Sequence, residues 1–156
     1  MTAPAPGAAT AVDEAAVRAV LAEVPDPEIP VVSIVDLGMV ETVEVGHDAI
    51  RIELLPTFVG CPALDAIRTA VEERLAGFGR QTDVSFGYRV PWTSDRITAA
   101  GRDRLRRSGF APPGEETCPL CGSANVATDN LFGPTQCRSV RYCRSCRQPF
   151  EAFKPV

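Results

Sequence analysis

The chain has 156 residues, of which 45% are hydrophobic, and a formal net charge of −4. This length allows one domain, or one small domain with an appendage, and no apolar stretch approaches the roughly 18 residues of a membrane span. The opening MTAPAPGAAT lacks the basic start and apolar core of a signal peptide. We therefore expect a cytoplasmic protein with no membrane partner, and we interpret residues 1–12 as a disordered tail.

Hydrophobic periodicity predicts the elements of the main part of the chain. In chain order they are a helix over 13–24, strands over 40–45 and 49–55, a helix over 62–76, a strand over 82–90 and a helix over 94–107. Alternation in the third strand predicts that Tyr88 and Val90 are buried. Three strands with helices on one side indicate a small two-layer α+β domain over 13–110, followed by a linker over 111–116.

After this linker the net charge changes sign and cysteines become more frequent. Residues 1–116 carry 11 Arg/Lys and 18 Asp/Glu, a net charge of −7, whereas residues 117–156 carry 5 and 2, a net charge of +3. Five of the six cysteines also lie in the second part. These changes indicate two modules, and the acidic main module argues against nucleic acid as a partner. Because disulfides are uncommon in the cytoplasm, the cysteines indicate metal or thiol chemistry.

The C-terminal module, residues 117–156, is too short for an ordinary core and carries a metal-site pattern. Two C-x2-C turns, separated by 21 residues, supply Cys118, Cys121, Cys143 and Cys146. Two such turns direct four sulfurs at one centre, as in tetrahedral zinc sites, and a bound metal would supply folding energy. We predict a zinc ribbon with four cysteine ligands. The alternative metal is iron, since CPLCG resembles one knuckle of the rubredoxins.

Two further features of this tail have competing explanations. Cys137, in FGPTQC, is either a buried small apolar residue, which we favour, or another ligand. The tail arginines would suit a ribbon that binds nucleic acid. Because few aromatic residues lie between them, we interpret them as a solvated face or as a surface that docks an acidic protein.

Cys61 stands apart from the other cysteines, in TFVGCPALDAIR. Pro62 is a natural first helical residue, which would place Cys61 at or next to the helix N-cap. Backbone N–H groups and the helix dipole there would lower the thiol pKa and favour the thiolate that metal or persulfide chemistry requires. The spacing is equally consistent with a buried small residue that caps the helix.

Three polar residues are candidates for the surroundings of this thiol. Thr57 can form a hydrogen bond nearby, and the turn DPEIP supplies Asp26 and Glu28. Carboxylates this close in sequence could contact a metal or orient a thiol, although an acidic proline-rich turn is more often structural.

Two sets of motifs resemble known families. DPEIPVVSIVDLGMV, followed after a hairpin by T-x-x-x-C-P, resembles the SufT-like iron–sulfur assembly domain. GRDRLRRSGFAPP and the tail CPLCG, FGPTQC and YCRSCRQPFEAFK are similar to the C-terminal part of the PaaD family, the accessory subunits of bacterial phenylacetyl-CoA epoxidase. The joining of both sets in one order makes the resemblance specific. One departure is Pro134, where a small hydroxyl residue is expected.

The resemblance implies an accessory or maturation factor for the phenylacetyl-CoA epoxidase complex, which adds oxygen across the aromatic ring in aerobic phenylacetate degradation. The implied partners are the di-iron oxygenase subunits, the flavin and iron–sulfur reductase, and the iron–sulfur assembly machinery. Carried over by position, Cys61 is the transfer thiol that transiently binds iron or a cluster, with Asp26, Glu28 and Thr57 around it. The four paired cysteines become zinc ligands.

Two other functions remain open from the sequence. The chain could be a structural or rubredoxin-like electron-transfer subunit of the same oxygenase, in which case iron in the four-cysteine site would colour the protein. A zinc ribbon that binds nucleic acid is the third possibility, and the charge of −7 on residues 1–116 disfavours it.

Overall fold

A computed structural model describes residues 12–156, and the predicted tail before residue 12 lies outside the described residues. The helices are α1 (Glu14–Leu21), α2 (Leu64–Leu75) and α3 (Ala99–Arg107), and the strands are β1 (Val40–Val45), β2 (Ala49–Leu54), β3 (Gln81–Phe86), β4 (Val126–Asn130), β5 (Arg138–Cys143) and β6 (Pro149–Phe153). The predicted α+β class is confirmed. Across residues 12–156, no helix combines the length and the apolar character needed to cross a membrane.

The first sheet has the strand order β1-β2-β3. Strands β1 and β2 form an antiparallel hairpin, whereas β2 and β3 run parallel and are connected by α2. Side chains alternate between the two faces of a strand, and in β2 the residues Ile50, Ile52 and Leu54 are all buried. Helices α1 and α2 pack on the sheet and on each other. The predicted two-layer arrangement is therefore present.

The chain between α1 and β1 is held by side-chain bonds to its own backbone and to α3. The Ser33 N–H donates to Oδ2 of Asp36 at 3.0 Å, and the Asp36 N–H donates to Oγ of Ser33 at 3.0 Å. Arg104 of α3 donates to the same Asp36 carboxylate at 2.7 Å. These bonds satisfy a buried carboxylate and attach α3 to the segment that carries the acidic turn.

The predicted third strand is too long, and the burial expected at its end is wrong. Strand β3 ends at Phe86, and the side chains of Tyr88 and Val90 are 60% and 47% exposed. The Gly87 N–H makes one more bond, to the carbonyl of Leu54 at 2.8 Å. Because Leu54 is the last residue of β2, the chain has no strand to pair with beyond this point and leaves the sheet.

The helix predicted over 94–107 consists of two elements. A 3₁₀ turn spans Ser94–Arg96, and α3 begins at Ala99. Thr98 interrupts them with extended backbone, because its N–H donates to the carbonyl of Asp36 at 2.9 Å. Its side chain then accepts from the Gly101 N–H at 2.9 Å and becomes the N-cap of α3.

The second sheet, β4-β5-β6, is antiparallel and packs on the first module through its last strand. Phe153 of β6 is 1% exposed and belongs to the main hydrophobic core, with its ring centroid 5.8 Å from that of Trp92. Trp92 is also buried and donates its indole N–H to the Leu37 carbonyl at 2.7 Å. The two modules therefore share one core.

The segment predicted as a linker, 111–116, begins with three buried residues. The Ala111 N–H donates to the carbonyl of Glu151, and the Ala111 carbonyl accepts from the Phe153 N–H, both at 2.9 Å. These bonds lie along β6. The start of this segment thus adds a bridge to the ribbon sheet and fixes the strand that enters the main core.

Phe153→Ala should destabilise the protein by about 3–5 kcal/mol, the usual cost of emptying a buried phenylalanine site. Equilibrium denaturation with urea measures this cost. The matched control is Phe132→Ala, because the Phe132 side chain is 77% exposed, and it should cost no more than about 1 kcal/mol. Equal losses for the two variants would contradict a shared core.

Candidate metal centre and thiol pocket

The four predicted ribbon ligands converge on one centre. The Sγ atoms of Cys118, Cys121, Cys143 and Cys146 all lie within 4.8 Å of one another. Two of the separations are 3.8 Å, between Cys118 and Cys146, and 3.6 Å, between Cys121 and Cys143. Four sulfurs around a tetrahedral zinc at about 2.3 Å would be separated by about 3.8 Å. The donor set and its spacing therefore fit a tetrahedral metal ion.

The two cysteine turns reach this geometry by similar backbone paths. Gly122 follows the first turn with φ of 76°, and Arg147 follows the second with φ of 59°. Positive φ favours glycine, so Arg147 occupies a position that its side chain disfavours. The second turn is closed by a bond from the Cys143 N–H to the Gln148 carbonyl at 3.0 Å. Tight turns of this kind aim both sulfurs inward.

The electrostatics of this cluster also favour a bound cation. The pKa of Cys143 falls to about 7, because the backbone N–H groups of Cys146 and Ser145 point at its sulfur. The pKa of Cys146 rises to about 12, because desolvation and the neighbouring thiols disfavour its thiolate. Four thiolates at this separation require a positive ion between them. Tetrahedral sulfur sites hold zinc or iron.

A second site, the thiol pocket, lies where the ribbon meets the main module. It is a cavity of about 320 Å³, lined by Glu28, Thr57, Phe58, Cys61 and Pro62 of the main module and by residues 132–137 of the ribbon. Three of the predicted site residues, Cys61, Thr57 and Glu28, are thus brought to one cavity. The ribbon supplies the opposite wall and, with it, Cys137.

Cys61 does not lie where the sequence placed it. Helix α2 begins at Leu64 with Ala63 as its N-cap, so Cys61 precedes the cap by two residues and lies in a turn. Burial raises the pKa of the Cys61 thiol, against a hydrogen bond from the Ala63 N–H that lowers it. The charges of Glu28 and Asp26 raise this pKa further. The expected lowering of the pKa is therefore wrong, because desolvation and two carboxylates outweigh one backbone donor.

The two carboxylates of the acidic turn have different surroundings. Oδ1 of Asp26 accepts from the N–H groups of Glu28 and Ile29, at 3.0 and 2.8 Å, and so closes the turn. Burial raises the pKa of Asp26 against these bonds. Glu28 is half-buried and reaches the pocket, where its Oε2 lies 3.7 Å from Sγ of Cys137. The guanidinium of Arg138 donates to the Glu28 carbonyl and fixes this side of the turn.

Cys137 was predicted to be a buried small residue, and its burial is confirmed at 7% exposure. The sequence did not place it in the pocket. Its thiol lies 3.1 Å from Oγ1 of Thr135, and burial raises its pKa. The only signal in the sequence was the turn FGPTQC, whose glycine and proline bring the chain back before β5.

Two of the tail arginines bind other residues of the protein. Arg138 forms an ion pair with Glu151 at 2.9 Å, and Arg141 donates to the carbonyl of Glu115 at 2.8 Å. These bonds hold the ribbon sheet and the preceding segment together. The predicted solvated or docking face therefore does not include Arg138 and Arg141, whose guanidinium groups are bonded to partners within the protein.

Comparison with known proteins matches both modules separately. Residues 14–86 match the family described as iron-sulfur cluster assembly protein, and residues 106–154 match the PaaD zinc beta ribbon domain. The chain is thus a protein that joins an iron–sulfur assembly domain to a zinc ribbon. An Escherichia coli (strain K12) protein, provisionally named as the D-type subunit of 1,2-phenylacetyl-CoA epoxidase, is 37% identical over 149 residues, which are 88% of this chain and 90% of that protein. The chain belongs to the family of this epoxidase component, as its motifs predicted.

Solved structures agree on the fold of the first module. A domain of unknown function, DUF59, from Bacillus anthracis superposes with a TM-score of 0.55 at 28% identity, over 59% of this chain and 90% of that chain. A conserved hypothetical protein from Thermotoga maritima gives a TM-score of 0.52 at 23% identity, over 60% and 94%. The family match over residues 14–86 contains Cys61.

Cys143→Ser should reduce the metal content of the purified protein from one ion per chain to well below one, because it removes one of four ligands. Elemental analysis by mass spectrometry measures this content. Cys137→Ser is the matched control, since Cys137 lies outside the four-sulfur cluster, and it should leave the ribbon metal in place. Full metal content in the Cys143 variant would show that the ribbon does not hold the ion.

Glu28→Gln should lower the pKa of Cys61, because it removes a negative charge that disfavours the thiolate. At a fixed pH near 8, Cys61 should then react faster with iodoacetamide, and its rate–pH curve should shift to lower pH. Peptide mass spectrometry follows Cys61 alone. Glu44→Gln, on the exposed part of β1, should leave the curve unchanged, and a shift to higher pH in the Glu28 variant would contradict this account.

Proposed function

We propose that the protein is a maturation factor for the phenylacetyl-CoA epoxidase complex in aerobic phenylacetate degradation. In this proposal Cys61 transiently binds iron or an iron–sulfur cluster, which is then delivered to the complex. Family membership supports the pathway, and the iron–sulfur assembly match over 14–86 supports the type of task. The observation that carries the proposal is a half-buried thiol in a cavity beside the Glu28 carboxylate.

The pocket suits a cargo that is bound and released. Thiolate and carboxylate are ligands for iron, while the raised pKa keeps the Cys61 thiol protonated when no cation is present. Cargo binding therefore displaces a proton from Cys61, and release allows that proton to return. A site whose ligand prefers its neutral form holds metal less tightly than four preorganised cysteines do. This difference fits transient handling by Cys61.

The ribbon has a structural task in this proposal. Zinc held by its four cysteines stabilises β4–β6, and the ribbon forms one wall of the thiol pocket. Its outer surface would contact the client, which we take to be the oxygenase or reductase subunits. Cargo would come from the iron–sulfur assembly machinery. Such a factor works where the complex is assembled, in the cytoplasm.

A structural or rubredoxin-like electron-transfer subunit of the same oxygenase is the second candidate. One observation favours it: the sulfur spacing of the ribbon suits iron as well as zinc. Metal analysis with a visible spectrum of the purified protein separates the two. We expect zinc and no visible absorption, whereas iron with a reducible visible band would support electron transfer.

Cys61→Ser should yield client reductase with less iron and sulfide, or client oxygenase with less iron, down to the level found in cells that lack this protein. The reason is that serine keeps the side-chain size and loses the thiolate. Iron and acid-labile sulfide per client chain, purified from each strain, measure the effect.

The matched control is Val59→Ser, which changes an 81% exposed residue of the same loop and should leave client iron unchanged. Both variants should retain ribbon zinc and the wild-type circular dichroism spectrum. Client proteins with the wild-type content of iron and sulfide in the Cys61→Ser strain would refute this function.

A further inference from the structure

We propose that Cys137 is the second thiol ligand of the thiol pocket, so that the ribbon and the assembly domain hold the iron cargo together. Cys61 supplies one sulfur, Cys137 the other, and Glu28 a carboxylate oxygen. The inference rests on the proposed function for the identity of the cargo as iron. The two-thiol site itself is argued from the residues around the cavity.

The position of Cys137 in the fold separates it from the ribbon metal. It precedes β5 in the ribbon sequence, yet its side chain packs with the hydrophobic core of the main module. The ribbon has its own small core, which contains two of the four clustered cysteines. Cys137 is therefore a ribbon residue whose thiol lines a cavity formed with the other module.

The loop that presents Cys137 is held in place by backbone bonds. The Gly133 N–H donates to the Arg138 carbonyl at 2.9 Å, and the Lys154 N–H donates to the Cys137 carbonyl at 2.9 Å. A Cβ atom on Gly133 would lie 2.9 Å from Cβ of Arg138, so glycine is required for this close approach. Among residues 12–156, only the four ribbon cysteines bring three or more such ligand atoms close enough to hold one ion. Cys61, Cys137 and Glu28 line one cavity and would move closer to one another as the cargo binds.

The polar groups beside Cys137 face the same cavity. Oγ1 of Thr135 lies 3.1 Å from its sulfur, and Oε2 of Glu28 lies 3.7 Å from it. Arg138 supplies the nearest positive charge, but its guanidinium is bonded to Glu151 and to the backbone carbonyl of Glu28. The polar side chains that line the cavity are two thiols, the hydroxyls of Thr57 and Thr135, the amide of Gln136 and the carboxylate of Glu28.

The electrostatics of the pocket favour a cation that binds sulfur. Burial raises the pKa of both Cys61 and Cys137, and the charges of Glu28 and Asp26 raise both further. Desolvation disfavours any charge, but the two carboxylate charges that oppose thiolate formation also attract a positive ion. Sulfur ligands then select soft or borderline metals over magnesium or calcium.

The binding step is an exchange of protons for metal. Each thiol loses its proton to solvent as its sulfur bonds to the ion, and no electron is transferred. The walls contributed by Phe58, Phe132 and Pro134 are apolar, so water is partly excluded from the bound ion. The volume of about 320 Å³ leaves space beyond a single ion, which suits a cargo that retains other ligands.

Anaerobic cobalt(II) titration of the full-length protein, purified with zinc in the ribbon, tests the two-thiol site. Cobalt is the probe because its thiolate charge-transfer absorption grows with the number of sulfur ligands. We expect wild type to bind one further ion with two-thiolate intensity. Cys61→Ser and Cys137→Ser should each lose about half of the intensity and weaken binding by more than about 10- to 100-fold, the range for loss of an outer-shell partner alone.

The double variant Cys61→Ser/Cys137→Ser should lose the band and keep the ribbon zinc, which controls for cobalt in the four-cysteine site. X-ray absorption at the cobalt edge of wild type counts sulfur neighbours without any substitution, so the test survives if a variant misfolds. Two sulfurs support the assignment. A count of one sulfur neighbour in wild type would overturn it. Cobalt absorption and cobalt affinity at the wild-type level in Cys137→Ser would also overturn it.

These readouts involve no client and are separate from the test of the proposed function. Suppose that Cys61→Ser leaves the iron content of the client unchanged while X-ray absorption counts two sulfur neighbours of cobalt in wild type. The maturation role then fails and the two-thiol site stands. Suppose instead that Cys61→Ser lowers the iron content of the client while Cys137→Ser changes neither cobalt binding nor client iron. The maturation role then stands and the role of Cys137 fails.

Discussion

The packing of Phe153 in the core of the first module is the interaction on which the rest of this structure depends. A ribbon of this size buries too little apolar surface to fold by itself. It is stabilised from two sides, by four cysteines spaced for a metal and by a strand whose last aromatic ring packs against Trp92. The second contact also sets the ribbon against the assembly domain, and the thiol pocket exists only because of it.

The two groups of thiols in this chain have different surroundings. In the ribbon, backbone N–H groups lower the pKa of Cys143 to about 7, whereas desolvation and the neighbouring thiols raise the pKa of Cys146 to about 12. In the pocket, burial and the nearby carboxylates disfavour the thiolates of Cys61 and Cys137. The convergence of four sulfurs fits a metal ion held by the ribbon, and under the proposed function the pocket thiols bind their cargo transiently.

Local sequence signals predicted the elements well wherever neighbours in the chain decide the structure. Strand β1 has the predicted bounds, because alternation and a hairpin turn define it. The errors occur where a distant partner decides. Strand β3 ends early because β2 ends at Leu54, and Thr98 splits the predicted helix because its N–H is bonded to Asp36.

The sequence by itself determined the four-cysteine site, since each C-x2-C turn orients its two sulfurs locally. It also singled out Cys61, Thr57, Glu28 and Asp26 by motif, of which Asp26 closes the acidic turn and does not line the pocket. Only the tertiary structure decided that a ribbon cysteine faces the other three. Cys137 and Glu28 are 109 positions apart in the chain, yet their sulfur and carboxylate atoms approach within 3.7 Å. No periodicity or spacing encodes that contact, because it follows from how two separately patterned modules share one core. The thiol pKa values were likewise beyond the sequence, since burial and neighbouring charge exist only in the folded protein.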